Sequence, residues 1–331
     1  MAATNETNGI NGHHETNGTS ETNGTNGFNG HNEGLTTSGA EEGNHQKVAI
    51  VTGATSGMGI DLARHLHSKN YRVALVGRNK DAGNRLATCI TTPETHARFF
   101  QADVASYRSQ ADMFKAVWDT WGRIDLLCAN AGIVDQTSLY LYNWRDKSVD
   151  EVPPEPDLSC TDVDYKGVVY GTFLATHFMR HNPTPGGRII LNASIGGIFP
   201  HKAYPEYCGA KAAAIHFVRG VAPLLKQKEG ILINTVLPGM VQTPIVPKEM
   251  MDAVSPECVT PVSTILKAHD TFVDDETGMH GKSLEASAED LRWYDLPEPG
   301  NGYKTLRAVT VWEPLFKAMH GEESGLEGAI P

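Results

Sequence analysis

Short apolar runs alternate with longer amphipathic segments along the chain, beginning near residue 46. The longer segments show helical periodicity, and the apolar runs have the length and β-branched content of buried strands. The predicted strands are 47–52, 71–77, 97–104, 124–132, 187–194 and 231–239, and the predicted helices include 58–69, 105–121, 158–181 and 207–228. This repeated order predicts an α/β fold: a doubly wound parallel sheet of about seven strands, flanked by helices on both faces in three layers.

Two stretches depart from this alternation. Residues 134–157 are aromatic and contain several prolines, and residues 240–280 carry prolines and methionines. Both follow predicted strands, so they should project from the carboxyl edge of the sheet, where folds of this kind bind ligands. With residues 195–204 they predict a pocket for a sizeable apolar molecule. The side chains expected there are Tyr140, Tyr142, Trp144, Phe199, Met240, Met250 and Met251.

Composition divides the chain into three parts. Residues 1–45 are dominated by Asn, Gly, Thr, His and Glu, and too few apolar side chains are present to offset the entropy of ordering, so a disordered tail is predicted. Residues 46–290 carry the strand and helix pattern of one large domain. Residues 291–331 include Trp293, Trp312 and Phe316, and this extension is expected to pack on the domain or on a partner subunit.

Charge and cysteine usage narrow the class of protein. The formal net charge is −11, and no Lys/Arg cluster lies beside aromatic residues, which argues against a nucleic-acid partner. The chain shows neither a leader of basic and then apolar residues nor an uncharged apolar run of about 18 residues, so a cytoplasmic protein without membrane contact is expected. Five scattered cysteines form no CxxC pair, and no histidine set has ligand spacing, so neither a disulfide frame nor a metal site is predicted.

Three glycines lie between the first predicted strand and the first predicted helix, in the run VTGATSGMGIDLARHL. They are Gly53, Gly57 and Gly59. Glycine allows a tight turn and a close approach of the backbone to a pyrophosphate, which then meets the amides at the helix N-terminus. Because the glycines stand within a strand, turn and helix unit, they predict a Rossmann-type dinucleotide site rather than a glycine-rich turn without a ligand.

The end of the second predicted strand bears on the choice of dinucleotide. An acidic residue there would accept the ribose hydroxyls of NAD, but the strand ends Gly77, Arg78, Asn79. The planar guanidinium of Arg78 can pair with a 2′-phosphate, although a solvated surface arginine is the alternative. NADP(H) is therefore favoured, and NAD(H) remains an alternative.

Tyr207 and Lys211 lie about one helical turn apart, so both side chains should leave the same face of a predicted helix. A phenol beside an ammonium is an acid/base pair, because the positive charge favours the phenolate. Free tyrosine has a pKa of about 10, and about 4 kcal/mol of preference for the phenolate would bring it near neutrality. Ser194 ends a predicted strand and should reach the same edge of the sheet. Tyr204 lies two turns from Lys211 and is interpreted as a pocket residue.

Five motifs in this order resemble the short-chain dehydrogenase/reductase family from about residue 46 to about residue 287. They are Thr52-Gly53-x-x-x-Gly57-x-Gly59, Asp103-Val104, Asn130-Ala131-Gly132, Ser194 with Tyr207-x-x-x-Lys211, and Pro238-Gly239 with Thr243. Within that family, the run from GRIILNAS to PGMVQTPI looks closest to the branch of the hydroxyprostaglandin dehydrogenases.

The resemblance implies a role for each catalytic residue. Tyr207 would be the acid/base, Lys211 would tune it and hold the nicotinamide ribose, and Ser194 would donate a hydrogen bond to the substrate oxygen. Asp164 stands where the family has a fourth catalytic residue, an Asn. Two alternatives are open: Asp164 supports a water relay through its backbone carbonyl, or its carboxylate pairs with Lys211 and weakens the effect on Tyr207.

The resemblance also assigns the cofactor site, although these contacts do not follow from spacing alone. Thr243 would meet the nicotinamide carboxamide, and Asp103 with Val104 would meet the adenine. The complete set is Thr52, Gly53, Thr55, Ser56, Gly57, Met58, Gly59, Arg78, Asp103, Val104, Asn130, Ala131, Gly132, Tyr207, Lys211, Pro238, Gly239, Val241 and Thr243.

These observations predict an NADP(H)-dependent oxidoreductase that interconverts a secondary alcohol and a ketone on a small molecule. Ketone reduction in specialised metabolism is the expected direction, because cells hold NADP mostly reduced. The alternatives are an NAD-dependent alcohol dehydrogenase of the hydroxyprostaglandin type and a non-catalytic dinucleotide-binding sensor. By resemblance alone, helices 158–181 and 207–228 are expected to pair subunits in a homodimer or homotetramer.

Overall fold

The computed structural model describes residues 46–93 and 95–329, and the predicted disordered tail at 1–45 lies outside the described residues. Eight strands of this part of the chain form one sheet. Their bounds are β1 (Val48–Thr52), β2 (Arg72–Gly77), β3 (Ala97–Gln101), β4 (Leu126–Ala129), β5 (Gly187–Asn192), β6 (Ile231–Pro238), β7 (Ser283–Ser287) and β8 (Asp290–Tyr294).

Helices connect these strands and follow the last of them. They are α1 (Met58–Ser68), α2 (Lys80–Ile90), α3 (Tyr107–Trp121), α4 (Ser159–Thr161), α5 (Gly167–Met179), α6 (Pro205–Glu229), α7 (Lys248–Ala253), α8 (Val262–Val273), α9 (Tyr303–Thr310) and α10 (Glu313–His320). A π-helical turn at Asp162–Lys166 joins α4 to α5. Among the helices of the described residues, none has the length and hydropathy needed to cross a bilayer.

The strand order is β3-β2-β1-β4-β5-β6-β7-β8, and all neighbours pair in parallel except β7 and β8. The strand order reverses between β1 and β4. These two strands pair with each other, with Ile50 opposite Leu127. In open α/β sheets a ligand binds in the crevice at such a reversal, outside the carboxyl ends of the strands. The loops after β1, β4, β5 and β6 therefore meet at one edge.

The sheet is buried on both faces, which explains the near-continuous apolar runs of its central strands. All five residues of β1 are buried. On one face, Phe114 of α3 and Phe178 of α5 belong to a single core cluster. On the other face, Leu62 of α1 and Phe272 of α8 belong to a second. Two apolar layers of this kind hold the carboxyl edge of the sheet in place.

The predicted α/β fold with a doubly wound sheet is confirmed, and the differences are one strand more than the seven or so predicted and shifted ends of several elements. An eighth strand, β8, pairs antiparallel with β7 across a two-residue turn in which Ala288 has a φ of 50°. The predicted strands 97–104 and 124–132 end earlier, at Gln101 and Ala129, because the chain there turns into ligand loops. The helix predicted from residue 207 starts at Pro205, whose fixed φ suits a first helical position.

Candidate active site

The loop between β1 and α1 approaches neighbouring backbone closely at its glycines. Gly53 and Gly57 have φ values of 65° and 52°, a region that favours glycine. A Cβ on Gly59 would lie 2.2 Å from the carbonyl oxygen of Gly53. No side chain caps the first turn of α1. Its amides can therefore face an anion such as a pyrophosphate.

Thr52, at the end of β1, connects three strand ends. Its hydroxyl accepts hydrogen bonds from the backbone amides of Asn130 and Ala131, both at 3.0 Å. The Asn130 side chain donates to the Thr52 carbonyl at 2.9 Å and accepts from the Asn192 side chain at 2.7 Å. The loop after β4 is thus attached to both β1 and β5. Asn192, which ends β5, was not among the predicted site residues, although it lies within the predicted strand 187–194.

Arg78 follows β2 and is exposed. Its backbone carbonyl accepts a hydrogen bond from the Gln101 side chain at 3.1 Å, and within residues 46–93 and 95–329 its guanidinium has no ion-pair partner. A Cβ on Gly77 would lie 2.9 Å from the Thr55 hydroxyl oxygen. Any side chain at position 77 would therefore require the Thr55 side chain to shift.

The other predicted cofactor residues also lie at the carboxyl edge. Asp103 and Val104 follow β3, and the Asp103 carboxylate accepts a hydrogen bond from the Ala105 amide at 3.0 Å. Thr243 follows β6 and lies against the phosphate loop, since a Cβ on Gly57 would be 3.4 Å from the Thr243 Cβ. Further members of the predicted set at these strand ends are Ser56, Met58, Gly132, Pro238, Gly239 and Val241.

Asp164 lies in the π-helical turn before α5 and is fully buried. Its Oδ2 lies 2.9 Å from the Nζ of Lys211, and its Oδ1 accepts a hydrogen bond from the Ile133 amide at 2.8 Å. Lys211 also donates to the backbone carbonyl of Asn192 at 3.0 Å. Of the two alternatives for Asp164, the structure therefore contains the ion pair with Lys211.

The pKa values of this pair follow from burial and from the charges nearby. Burial acts to lower the pKa of Lys211, but the Asp164 carboxylate and the Tyr207 phenol outweigh it, so the pKa is raised and the amine stays charged. Burial raises the pKa of Asp164, and the Lys211 ammonium opposes this rise. The ammonium beside Tyr207 is thus partly neutralised by a carboxylate.

Tyr207, Lys211 and Ser194 lie close together. The Nζ of Lys211 lies 5.5 Å from the centroid of the Tyr207 ring, and the Ser194 hydroxyl is a hydrogen-bond partner of the phenol. Ser194 also accepts a hydrogen bond from the Gly196 amide at 3.0 Å, which orients its hydroxyl. A phenol, a hydroxyl and an ammonium at one point can hold an oxygen atom of a substrate and exchange a proton with it.

The pKa of Tyr207 differs from the expectation for an isolated phenol and amine pair. Burial raises it, and this effect outweighs the lowering by Lys211 and by the hydrogen bond to Ser194. The Asp164 carboxylate raises it further. The groups of the protein alone therefore do not bring the pKa of Tyr207 down to neutral pH, because burial and the Asp164 carboxylate both favour the uncharged phenol.

A cavity of about 320 Å³ opens beside Ser194 and Tyr207. No Asp, Glu, Lys or Arg of the described residues lines it. The Tyr204 hydroxyl points to the Met250 sulfur, at 3.4 Å, which agrees with the interpretation of Tyr204 as a pocket residue. The apolar side chains of the wall are Met58, Val134, Ala193, Ile195, Phe199, Pro200, Pro238, Met240, Val241, Ile245, Val246, Pro247 and Met250.

The predicted pocket residues are only partly found in this wall. Phe199, Met240 and Met250 line the cavity, whereas Tyr140, Tyr142, Trp144 and Met251 do not. The prediction was wrong for the tyrosines and the tryptophan because the loop 134–157 extends outward over the surface. Its Tyr140 hydroxyl donates to the Lys202 carbonyl at 2.5 Å, and the ring stacks on Tyr142.

Two carboxylates at the start of α6 were not identified from the sequence. Asp135 accepts hydrogen bonds from the backbone amides of Glu206 and Tyr207, and Glu206 accepts one from the Thr161 amide at 2.7 Å. A local signal existed: α6 begins after Tyr204, which is not a capping residue, so its first amides needed an acceptor from elsewhere.

Asp135, Cys160 and Glu206 each bring one ligand atom to within 4.8 Å of the others. Asp135 accepts from the first amides of α6, where the helix dipole is positive and disfavours a cation, and Glu206 accepts from the Thr161 amide of α4. The Cys160 thiol donates to the Ile133 carbonyl at 3.3 Å, and burial raises its pKa, so the thiolate that a metal requires is disfavoured. Asp135 is therefore interpreted as the cap of α6, and Glu206 and Cys160 as partners of neighbouring backbone groups.

The sequence of this chain is similar to those of several known proteins. The profile of the short chain dehydrogenase family matches residues 47–253. The chain is 60% identical over 293 residues to the short-chain dehydrogenase/reductase prx6 of Penicillium rubens, a match that covers 86% of this chain and 98% of that protein. It is 32% identical over 203 residues to the 15-hydroxyprostaglandin dehydrogenase (NAD+) of Mus musculus, which covers 60% of this chain and 70% of that protein.

A solved structure agrees on the fold. The crystal structure of a short-chain type dehydrogenase/reductase from Mycobacterium marinum matches with a TM-score of 0.64 at 24% sequence identity. The match covers 73% of this chain and 94% of that chain. At this identity the likeness supports the fold alone.

Proposed function

The chain belongs to the short-chain dehydrogenase/reductase family and is an NAD(P)-dependent oxidoreductase acting on CH-OH groups, and from this premise we propose that it interconverts a secondary alcohol and a ketone with NADP(H). The observation that carries the proposal is the joint position of Ser194, Tyr207 and Lys211 beside an apolar cavity. These are groups of an acid/base site, and a sensor without redox chemistry has no need of them.

The residues of this chain divide the proton transfer among them. During ketone reduction the Tyr207 hydroxyl gives its proton to the substrate oxygen as negative charge develops there. The Ser194 hydroxyl donates a hydrogen bond to the same oxygen, as an oxyanion-type donor. Lys211, held by Asp164 and by the Asn192 carbonyl, stabilises the phenolate that remains. A bound nicotinamide supplies or accepts the hydride.

The residues at the sheet edge fit a dinucleotide. Position 59 has room only for glycine, because a Cβ there would lie 2.2 Å from the Gly53 carbonyl oxygen. No side chain caps the amides at the start of α1. Arg78, with no ion-pair partner among the described residues, would hold the 2′-phosphate of NADP. Gly77, at the end of β2, offers no carboxylate to the ribose hydroxyls of NAD, which supports the same preference.

The cavity supports a neutral, largely apolar substrate. Its volume of about 320 Å³ lies at the small end of the usual range for ligand sites, and none of its lining residues among those described is Asp, Glu, Lys or Arg. A charged substrate would lose its hydration there, and His201 is the one ionisable side chain other than Tyr204 and Tyr207 among the described lining residues that it could meet. We therefore propose a ketoreductase that acts on an uncharged apolar ketone, more compact than the sizeable molecule expected from the sequence. Its place in specialised metabolism rests on the expected direction of reduction with NADPH.

The test is reduction of uncharged ketones, using camphor, decalone and propiophenone as probes. NADPH oxidation, measured as loss of absorbance, is expected with at least one probe. The concentration of NADPH needed for half-maximal rate should be lower than that of NADH. Arg78→Ala should weaken NADPH binding by about 10-fold to 100-fold, the range of a lost hydrogen bond between charged groups. NADH binding should remain unchanged. Both dissociation constants are measured by fluorescence titration.

The control for Arg78 is Arg85→Ala, which removes an exposed arginine of α2, the helix that follows the same strand. It should bind both cofactors as the wild type does. Equal NADPH affinity in the wild type and in Arg78→Ala would refute the role of Arg78. Absence of NADPH oxidation with every probe would count against ketone reduction.

The second candidate is an NAD-dependent alcohol dehydrogenase. It is favoured by the 32% identity to 15-hydroxyprostaglandin dehydrogenases whose names specify NAD+. In that case the wild type should prefer NADH over NADPH, and Arg78→Ala should change neither affinity. The same titrations therefore separate the two candidates.

We also propose that subunits pair through α5 and α6. Their outer faces, with the start of α3, border an apolar groove of about 810 Å³ lined by Tyr107, Phe173, Phe217 and Leu224. The Phe173 side chain is 66% exposed in the single chain, which is unusual for a large apolar residue unless a partner covers it. The expected mass in solution, measured by light scattering, is that of a dimer or a tetramer. A Phe173→Glu variant should shift it toward the monomer.

A further inference from the structure

The first turn of α6, which carries Tyr207, has an unusual set of hydrogen bonds. Tyr204 precedes the first helical residue and gives no side-chain cap. Pro205 has no N–H, and the Cys208 amide donates to the Tyr204 carbonyl at 3.1 Å. Two amides of the first turn, those of Glu206 and Tyr207, are left to find an acceptor outside the helix.

Asp135 supplies both acceptors from a position 72 residues before Tyr207. Its Oδ2 accepts from the Glu206 amide at 3.0 Å, and its Oδ1 accepts from the Tyr207 amide at 2.8 Å. A carboxylate at this end of a helix is stabilised by charge-assisted hydrogen bonds and by the helix dipole. Because one of the two amides belongs to Tyr207, Asp135 holds the backbone from which the phenol projects.

Asp135 also lies on the segment that borders the rest of the site. Three residues earlier, a Cβ on Gly132 would be 2.9 Å from the Asp164 carboxylate and 3.3 Å from the Lys211 amine. The preceding residue, Val134, lines the cavity. The same short segment therefore contacts the lysine, the substrate cavity and the backbone of the tyrosine.

We propose that Asp135 is a positioning residue for Tyr207: it couples the segment at the substrate side of the cavity to the alignment of the phenol with Lys211 and Ser194. The inference rests on the proposed function, because it requires Tyr207 to be the acid/base. A displacement of a reacting group by about 1 Å costs on the order of 10²-fold in rate. The effect of Asp135 should therefore fall on kcat and leave KM and cofactor affinity largely unchanged.

The kinetic experiment compares Asp135→Ala, which removes both acceptors, with Asp135→Asn, which keeps one carbonyl oxygen. The kcat for reduction of the probe ketones by NADPH should fall by about 10²-fold in Asp135→Ala and by about 10-fold in Asp135→Asn. The matched control is Asp150→Ala, which removes an exposed carboxylate from the same loop and should keep the wild-type kcat.

A second readout does not depend on turnover. The ionisation of Tyr207 is followed as the tyrosinate absorbance of each protein minus that of the same protein carrying Tyr207→Phe. A phenol displaced from Lys211 loses the charge that favours its phenolate, so the midpoint in Asp135→Ala should move to higher pH than in the wild type and in Asp150→Ala. A helix that is only less stable would melt at a lower temperature without this shift.

The outcomes separate this inference from the proposed function. A wild-type kcat together with a wild-type ionisation midpoint in Asp135→Ala would overturn the role of Asp135. If the wild type reduces none of the probes, the proposed function is contradicted, and the ionisation midpoint alone decides on Asp135. Should Asp135→Ala not fold, Asp135→Asn is measured with both readouts, and wild-type values in it would overturn the inference.

Discussion

Replacing Tyr207 with phenylalanine is expected to lower kcat for ketone reduction by about 10³-fold, within the usual range for loss of a general acid. The substitution removes one hydroxyl and leaves the ring packed beside Lys211 and Ser194. NADPH affinity should stay close to the wild-type value, because the substitution leaves the glycines of the phosphate loop and Arg78 unchanged. Single-turnover kinetics with NADPH and fluorescence titration measure the two quantities separately.

The control is the other phenol of the cavity, Tyr204. Its hydroxyl contacts only the Met250 sulfur among the described residues, so Tyr204→Phe should keep turnover and change at most KM. If Tyr204→Phe lost turnover while Tyr207→Phe retained it, the acid/base would be Tyr204, and the proposed site would have to be redrawn.

Replacing Lys211 with methionine should both abolish turnover and destabilise the fold. The Asp164 carboxylate, fully buried, would lose the ammonium 2.9 Å away. Breaking a buried ion pair from one side typically costs about 3–5 kcal/mol, because the remaining charge is neither paired nor solvated. Urea unfolding measures this loss, and the activity assay measures the loss of the charge that favours the Tyr207 phenolate.

The double variant Lys211→Met with Asp164→Asn separates the two effects. A neutral amide needs no counter-charge and can still accept the hydrogen bond from Ile133, so most of the stability should return while turnover stays absent. Recovery of turnover in this double variant would contradict the role of Lys211. No recovery of stability would show that the ion pair is not the cause of the destabilisation.

The single variant Asp164→Asn bears on the pH profile. The Asp164 carboxylate raises the pKa of Tyr207, so removing its charge should lower that pKa. Alcohol oxidation requires the phenolate, so activity in that direction should persist to lower pH than in the wild type. If the pH at which oxidation activity falls off were the same in Asp164→Asn as in the wild type, Asp164 would not act on Tyr207 through its charge.

The strands and the main site residues could be predicted because their signals are local. The apolar run VAIVT, the glycines at 53, 57 and 59, and the four-residue spacing of Tyr207 and Lys211 are each contained in one element or one turn. Strand ends of a parallel sheet meet at one edge, so Ser194 could be assigned to the same place as Tyr207. What such patterns cannot supply is a distance between elements.

The aromatic loop illustrates the limit. Its composition suggested a pocket wall, but composition does not say which way a loop turns, and a hydrogen bond from Tyr140 to Lys202 holds it at the surface. The cap of α6 is the opposite case. The sequence before Pro205 offers no capping side chain, which implies that the first amides of the helix need an acceptor from elsewhere but does not say which residue supplies it. The carboxylate that fills the role, Asp135, is 72 residues away in the chain.

The sequence by itself determined the alternation of strands and helices, the phosphate loop and the identity of the proposed proton-transfer groups, because periodicity and turn chemistry act over a few neighbouring residues. Only the tertiary structure decided that Asp164 pairs with Lys211, that burial raises the pKa of Tyr207, and that Asp135 caps the helix carrying it. Each of these depends on desolvation or on contacts between distant segments, which exist only once the sheet has brought its strand ends together.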